Sequence, residues 1–140
     1  MYSKSAAFVL FACLAMMLSS CGGQRVDVGQ VIKSASAGNS LTVKLMSEDG
    51  VLRDGDNDLY LVFEDEAGTS VDVEAASLNF NMPAMGTMPV MNDAATLTTT
   101  VQPGVYRATV KLQMAGEWLA QIAYEGAAGK GKVIVPVTAQ

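Results

Sequence analysis

Val105-Tyr-Arg-Ala-Thr-Val-Lys-Leu-Gln-Met-Ala-Gly-Glu-Trp-Leu-Ala-Gln-Ile-Ala-Tyr124 sets the fold class. Tyr106, Ala108, Val110 and Leu112 alternate with Arg107, Thr109 and Lys111, the two-residue period of a strand with one buried face. Ala115-Gly116 turns the chain, and Trp118, Ala120, Ile122 and Tyr124 line one face of a second strand. Working outward, Leu41, Val43 and Leu45 alternate with Thr42, Lys44 and Met46, and Leu59 to Phe63 is a nearly continuous apolar run. Val71 to Glu74 reads as the start of another strand, Ser77 to Asn81 as a further one, Ala95 to Val101 as a Thr-rich β-prone stretch, and Val133 to Val137 as the last. Turn clusters separate them at Asp54-Gly-Asp-Asn-Asp58, Ala67-Gly68, Pro103-Gly104 and Glu125 to Gly129. The spacing predicts an all-β protein, an immunoglobulin-like antiparallel β-sandwich of seven to eight strands.

The N-terminus reads as a targeting segment. Lys4 supplies a positive charge, Ala6 to Leu18 is apolar but short for a bilayer span, and Leu18-Ser-Ser-Cys-Gly22 has the order of a bacterial lipobox. Residues 1–20 are therefore expected to be a lipoprotein signal peptide and Cys21 the lipidated residue. Residues 21–40, rich in Gly, Ser, Ala, Gln and Val, read as a flexible tether, and 41–140 as one domain large enough for a single core. With Cys13 in the discarded segment and Cys21 blocked by lipid, the mature chain has no thiol and no disulfide. The expected location is the cell envelope, facing the periplasm through a lipid anchor. Gly22 favours outer-membrane retention where the host has two membranes.

Charge narrows the partners. The net charge is -5, and removal of Lys4 makes the mature chain more acidic still. The acidic charge argues against nucleic acid as a partner, and an anionic lipid surface would repel the domain. Catalysis is also poorly provided for. The chain has no histidine, and no serine sits in a Gly-x-Ser-x-Gly elbow. Glu64, Asp65 and Glu66 read as a solubilising strand end, with nothing around them to tune a carboxyl group. Asp54, Asp56 and Asp58 alternate like the start of a calcium loop, but Leu59 stands where the sharp-turn glycine belongs; a solvated hairpin loop is the simpler reading.

Asn79-Phe-Asn-Met-Pro-Ala-Met-Gly-Thr-Met-Pro-Val-Met91 carries the chemistry. Met82, Met85, Met88 and Met91 recur at every third position. A thioether is a soft, neutral ligand that suits monovalent copper and silver, and suits zinc, calcium and magnesium poorly. Met82 and Met88 precede prolines, which favour extended or polyproline-II backbone, where positions three apart share a face. Gly86 is the place for a bend. Met114 is a further candidate ligand. Against this stand two plainer readings: methionine as core filler against Phe80 or Trp118, and a sticky loop for partner proteins. Trp118 is expected in the core, with a cation–π contact to a bound ion as a lesser reading. Met46 reads as outward-facing packing. A carbohydrate-binding module would need Tyr60, Tyr106, Tyr124 and Trp118 on one surface, whereas most of them read as core.

These pieces, in order, resemble the YtkA-like domain family, which is related to FixH-like proteins. The matching elements are Gly55-Asp-Asn-Asp-Leu59, Phe63, Gly68, Met82-Pro-Ala-Met85, Pro103-Gly-Val-Tyr-Arg-Ala108 and Met114-Ala-Gly-Glu-Trp118. The resemblance implies an immunoglobulin-like sandwich outside the cytoplasm, associated with copper or other heavy-metal handling through efflux systems or oxidase assembly. Unlike many relatives, this chain has no histidine near the Met-Pro segment, which points to a monovalent, thioether-only site. The expected ligands are Met82, Met85, Met88, Met91 and Met114, the expected ion is Cu(I) or Ag(I), and the expected role is a metal chaperone or buffer. The alternative is a non-metal interaction or scaffold module with a Met-rich packing loop.

Overall fold

A computed structural model describes residues 24–140. The expected signal peptide and Cys21 lie outside the described residues. The described chain forms nine strands: β1 Gln30–Gly38, β2 Leu41–Ser47, β3 Gly55–Glu64, β4 Ala75–Met82, β5 Met91–Ala94, β6 Thr96–Thr99, β7 Val105–Leu112, β8 Gly116–Gly126 and β9 Gly129–Ala139. They make two antiparallel sheets, ordered β1-β2-β3-β7-β6 and β5-β4-β8-β9. This is an all-β sandwich of the immunoglobulin-like kind, with no helix among the described residues. At Ala95 the chain leaves one sheet for the other, and its N–H still donates to Leu78 O at 2.9 Å.

The alternating residues of β7 and β8 face inward as their period requires. Ala108, Leu112, Trp118, Ala120 and Ile122 are buried against Leu45, Leu59, Leu61, Phe63, Leu78 and Phe80 of the neighbouring strands. Fully burying an aliphatic side chain of this size contributes about 1.5–3 kcal/mol. Phe63 meets Tyr106 edge-on, with ring centroids 6.0 Å apart, and lies 5.4 Å from Tyr124. Each tyrosine keeps its hydroxyl satisfied. Tyr124 donates to Ala37 O at 2.9 Å and accepts from Asn39 Nδ2 at 2.9 Å, which ties β8 to the β1–β2 turn. Tyr106 hydrogen-bonds Val73 O and Asp72.

Four local expectations change. Gln30–Gly38, expected within the tether, is strand β1, paired along β2 with two register shifts. Only Ala37 of β1 is buried. Ile32 and Ala35 pack partly against the core, but the register shifts break the two-residue period that would mark a strand. Asn39 and Ser40 both take positive φ, 52° and 59°, the two-residue turn whose twist matches a hairpin. Gly55 to Asp58, expected as a hairpin loop, begins β3: Asp56 stands opposite Lys111, and Asp58 pairs with Arg107 at 3.1 Å. Asn57 points inward and closes the turn, its side chain hydrogen-bonding Arg53 N, Arg53 O and Gly55 O. Val71 to Glu74 is not a strand but the crossing from one sheet to the other, pinned by the Tyr106 hydroxyl at Val73. The Ala95 to Val101 stretch pairs only over β6.

Residues 24–28 lie across the outer face of the five-stranded sheet. Val26 and Val28 cover Met46, Val62 and Val105, so Met46 points outward from the sheet yet is buried. Val26 N donates to Gln102 Oε1 at 2.9 Å, and Gln102 Nε2 donates to Ser70 Oγ at 2.7 Å. Beside this strap runs a groove of about 560 Å³ between Arg25, Lys44, Glu64, Thr69 and Pro103.

Two predictions concern this frame. An added Cβ at Gly131 would sit 2.8 Å from both Ala37 O and Tyr124 Cε1. Gly131→Ala should therefore destabilise by about 1–3 kcal/mol through overpacking; an unchanged urea midpoint would contradict the contact. In the loop before β3, the Arg53 guanidinium lies 2.6 Å from Asp49 Oδ2. The hydrogen bond from Arg53, aided by one from the Val51 N–H, lowers the Asp49 carboxyl to about 2. The folded value lies below the ordinary carboxylate value of about 3.9. This contribution to stability is thus present above that value and lost as pH falls through about 2. Carboxyl NMR titration should find Asp49 near that midpoint, and Arg53→Ala should return it to the ordinary range.

Candidate metal centre

Prolines decide how the methionine segment can pair. Pro83 and Pro89 lack backbone N–H groups, so the β4–β5 ladder is interrupted beside each of them. The ladder resumes beyond. Met82 stands opposite Met91 at the end of β4. Met85 and Met88 then exchange both backbone hydrogen bonds, at 3.2 and 2.8 Å. Both pairs have the same register, so residues 82–91 are one continuous hairpin closed by Gly86-Thr87. Gly86 has φ +57° and Thr87 has no positive φ, the pattern of a two-residue loop with glycine first. The expectation of one polyproline-II face is thus corrected. The three-residue spacing is the mirror spacing of a tight hairpin, and the motif Met-Pro-x-Met occurs once on each arm.

The two pairs differ in surroundings. Met82 is 5% exposed, and Met91 is half-buried against the core. Met85 is 67% exposed and Met88 38%. An offset of three residues along a strand places side chains on opposite faces, as this contrast in burial shows. Met82 and Met91 face in, while Met85 and Met88 face out. Cross-strand partners have Cβ atoms about 4.5–5.5 Å apart, within reach of paired thioethers.

Met114 sits in the β7–β8 turn at the same end of the sandwich. Gln113 donates to Asp93 through its backbone N at 3.1 Å and its Nε2 at 2.8 Å, fastening this turn to β5 two residues beyond Met91. Trp118 Nε1 donates to Met114 O at 3.1 Å. The Met82 Cε lies 3.2 Å from where a Cβ of Gly116 would be, so the glycine makes room for that thioether. Met114 itself is half-buried against the core. Met82, Met91 and Met114 therefore lie toward the same end of the sandwich, with Met85 and Met88 beyond them at the tip. Trp118 is 1% exposed and belongs to the core, as expected of it.

The hairpin's environment suits soft, neutral donors. No charged residue occurs between Glu74 and Asp93. Asn81 Nδ2 donates to Asn92 Oδ1 at 2.9 Å, which holds short β5 against β4, and Asn79 Nδ2 donates to Gln121 Oε1 at 3.3 Å, which ties β4 to β8 on its other side. These amides, Gln113, Asp93 and Gly116 position the hairpin and were not singled out by sequence reasoning; the symmetric placing of the four methionines about Gly86-Thr87 was the signal that could have found the pairing. Among the described residues, no group of three or more His, Cys, Asp or Glu side chains could hold a metal ion. Glu64 pairs with Lys44 at 2.7 Å, and Asp65 accepts from Ala67 N and Thr69 N, both at 2.9 Å. Tyr106, Tyr124 and Trp118 are buried, so they form no sugar-binding platform.

Comparison with curated proteins and with solved structures finds no match. A family model described as YtkA-like matches residues 35–123, more than half of the 140-residue chain, from the end of β1 into β8 and including the whole methionine hairpin. The sandwich, its methionine hairpin and this match together identify the chain as a member of the YtkA-like family.

Proposed function

We propose that this protein is a lipid-anchored envelope lipoprotein that binds monovalent copper or silver through methionine thioethers, as a chaperone or buffer serving an efflux or oxidase-assembly partner. One observation carries the reading: a proline-framed hairpin brings four methionines into two cross-strand pairs, and the β7–β8 turn adds Met114 beside them. Thioether sulfur matches a soft monovalent ion, and the uncharged hairpin gives hard divalent ions little to hold. The anchor is read from the Leu18-Ser-Ser-Cys21 motif. The role is binding and transfer, not catalysis.

Silver titration of the full chain in mild detergent, followed by native mass spectrometry, tests this reading. Bound silver is expected at pH 7 and equally at pH 5, because thioethers need no deprotonation. Oxidation of the methionines to sulfoxides should remove it. A steep loss of binding between pH 7 and 5, or none at pH 7, overturns the proposal. The second reading, an interaction loop, draws on the exposure of Met85, Met88 and Val90. It predicts partner binding that survives without any metal.

A further inference from the structure

We infer that the hairpin carries two separate soft-ion sites, an inner one of Met82, Met91 and Met114 and an outer one of Met85 and Met88. This rests on the metal-binding reading above and adds its stoichiometry and exchange behaviour.

The backbone keeps the two sets apart. Met82 and Met85, like Met88 and Met91, are three residues apart on their arms, about 10 Å along an extended chain. The odd offset turns them to opposite faces, and the burial of Met82 against the exposure of Met85 records that reversal. Pro83 and Pro89 lie between the sets and fix φ there, so the arms resist the twist that would bring all four sulfurs to one side. A single ion needs its donors within a few ångströms of itself, so it cannot draw on both sets while the hairpin stays closed. The backbone hydrogen bonds between Met85 and Met88 keep it closed.

The sites differ in access. The inner donors are seated against the sandwich core, with the Met82 methyl over Gly116 and the Met114 turn fastened by Gln113 to Asp93. Three donors held in place by packing shed an ion slowly. The outer pair stands in solvent on a two-residue turn, with two donors only. An ion there exchanges quickly with free thioether ligands. The outer pair is therefore the point of exchange, and the inner trio the point of storage.

The test is a silver titration of the full chain by native mass spectrometry, with excess free methionine as competitor. The native protein should take two silver ions, one removed rapidly by the competitor and one slowly. Met85→Leu with Met88→Leu should keep only the slow ion. Met82→Leu with Met91→Leu and Met114→Leu should keep only the fast one. Should that triple variant fail to fold, Met91→Leu alone, at a half-buried position, should speed release of the slow ion at least tenfold and leave the fast one unchanged. One ion in the native protein, lost in both variant sets, means a single composite site and overturns the inference while sparing the metal reading. Two ions kept in either variant set also overturn it. No ion in the native protein overturns the metal reading itself.

Discussion

Changing Met82, Met85, Met88, Met91 and Met114 together to leucine should abolish silver and monovalent copper binding, with a loss of at least a hundredfold, while the sandwich stays folded. The two halves of that expectation have separate causes. Leucine offers no lone pair to a soft ion, so every donor in the hairpin and its neighbouring turn disappears. Its volume is close to that of methionine, and such exchanges usually cost less than about 1.5 kcal/mol each. Only Met82 is fully enclosed; Met91 and Met114 are half-buried, and Met85 and Met88 are exposed. Binding measured by competition against a chromogenic copper chelator, alongside a thermal melt, reads both halves at once. Intact affinity in a folded variant would remove the thioether hypothesis. Lost affinity in an unfolded one would be read again with Met85 and Met88 alone, whose side chains bear no core load.

Trp118→Ala should have the largest effect on stability, about 3–5 kcal/mol, the range seen when a large aromatic leaves a closed core. Trp118 is first by volume among the fully buried side chains and lies between the sheets at the hairpin's end of the sandwich. Its removal opens a cavity and also deprives Met114 O of the indole N–H. A loss of that size is a large part of the stability of an ordinary domain. It should appear as a lower urea midpoint with an unchanged slope, because the surface exposed on unfolding is nearly the same. Trp118→Phe should recover much of it. A midpoint shift worth less than about 1.5 kcal/mol would show that the neighbours collapse into the space. Because the indole also steadies the Met114 turn, the alanine variant should hold silver less tightly even where it remains folded.

Strands whose two faces meet different solvents were legible in the sequence. Tyr106 to Leu112 and Trp118 to Tyr124 declare their inward faces by alternation, and the structure buries those residues. Strand β1 was not legible because two register shifts, between Val31 and Lys33 and between Ser36 and Gly38, break its alternation, so Ile32, Ala35 and Ala37 reach the core without a two-residue period. The Asp56-Asn57-Asp58 run misled for a different reason. Its turn-like composition is the outward row of a strand whose inward residue, Asn57, happens to be polar and self-satisfied. In the candidate site, donor chemistry was readable from residue type alone, since softness belongs to the side chain. Geometry was not, because a three-residue repeat fits a polyproline helix and a mirrored hairpin equally well. The structure resolves it through cross-strand hydrogen bonds between Met85 and Met88, a non-local property of the chain.

The strap of residues 24–28 has a directional consequence. Gln24 and Arg25 lie beside Gly68, Thr69 and Pro103, at the pole where β3 ends and β7 begins. The methionine tip extends from the other pole, past the far end of β7, whose eight residues alone span about 26 Å. A chain moored by its N-terminus would therefore carry its sulfur-bearing tip outboard, like a lamp on a mast. Cargo would be offered at arm's length from the mooring surface, to whatever stands across the gap.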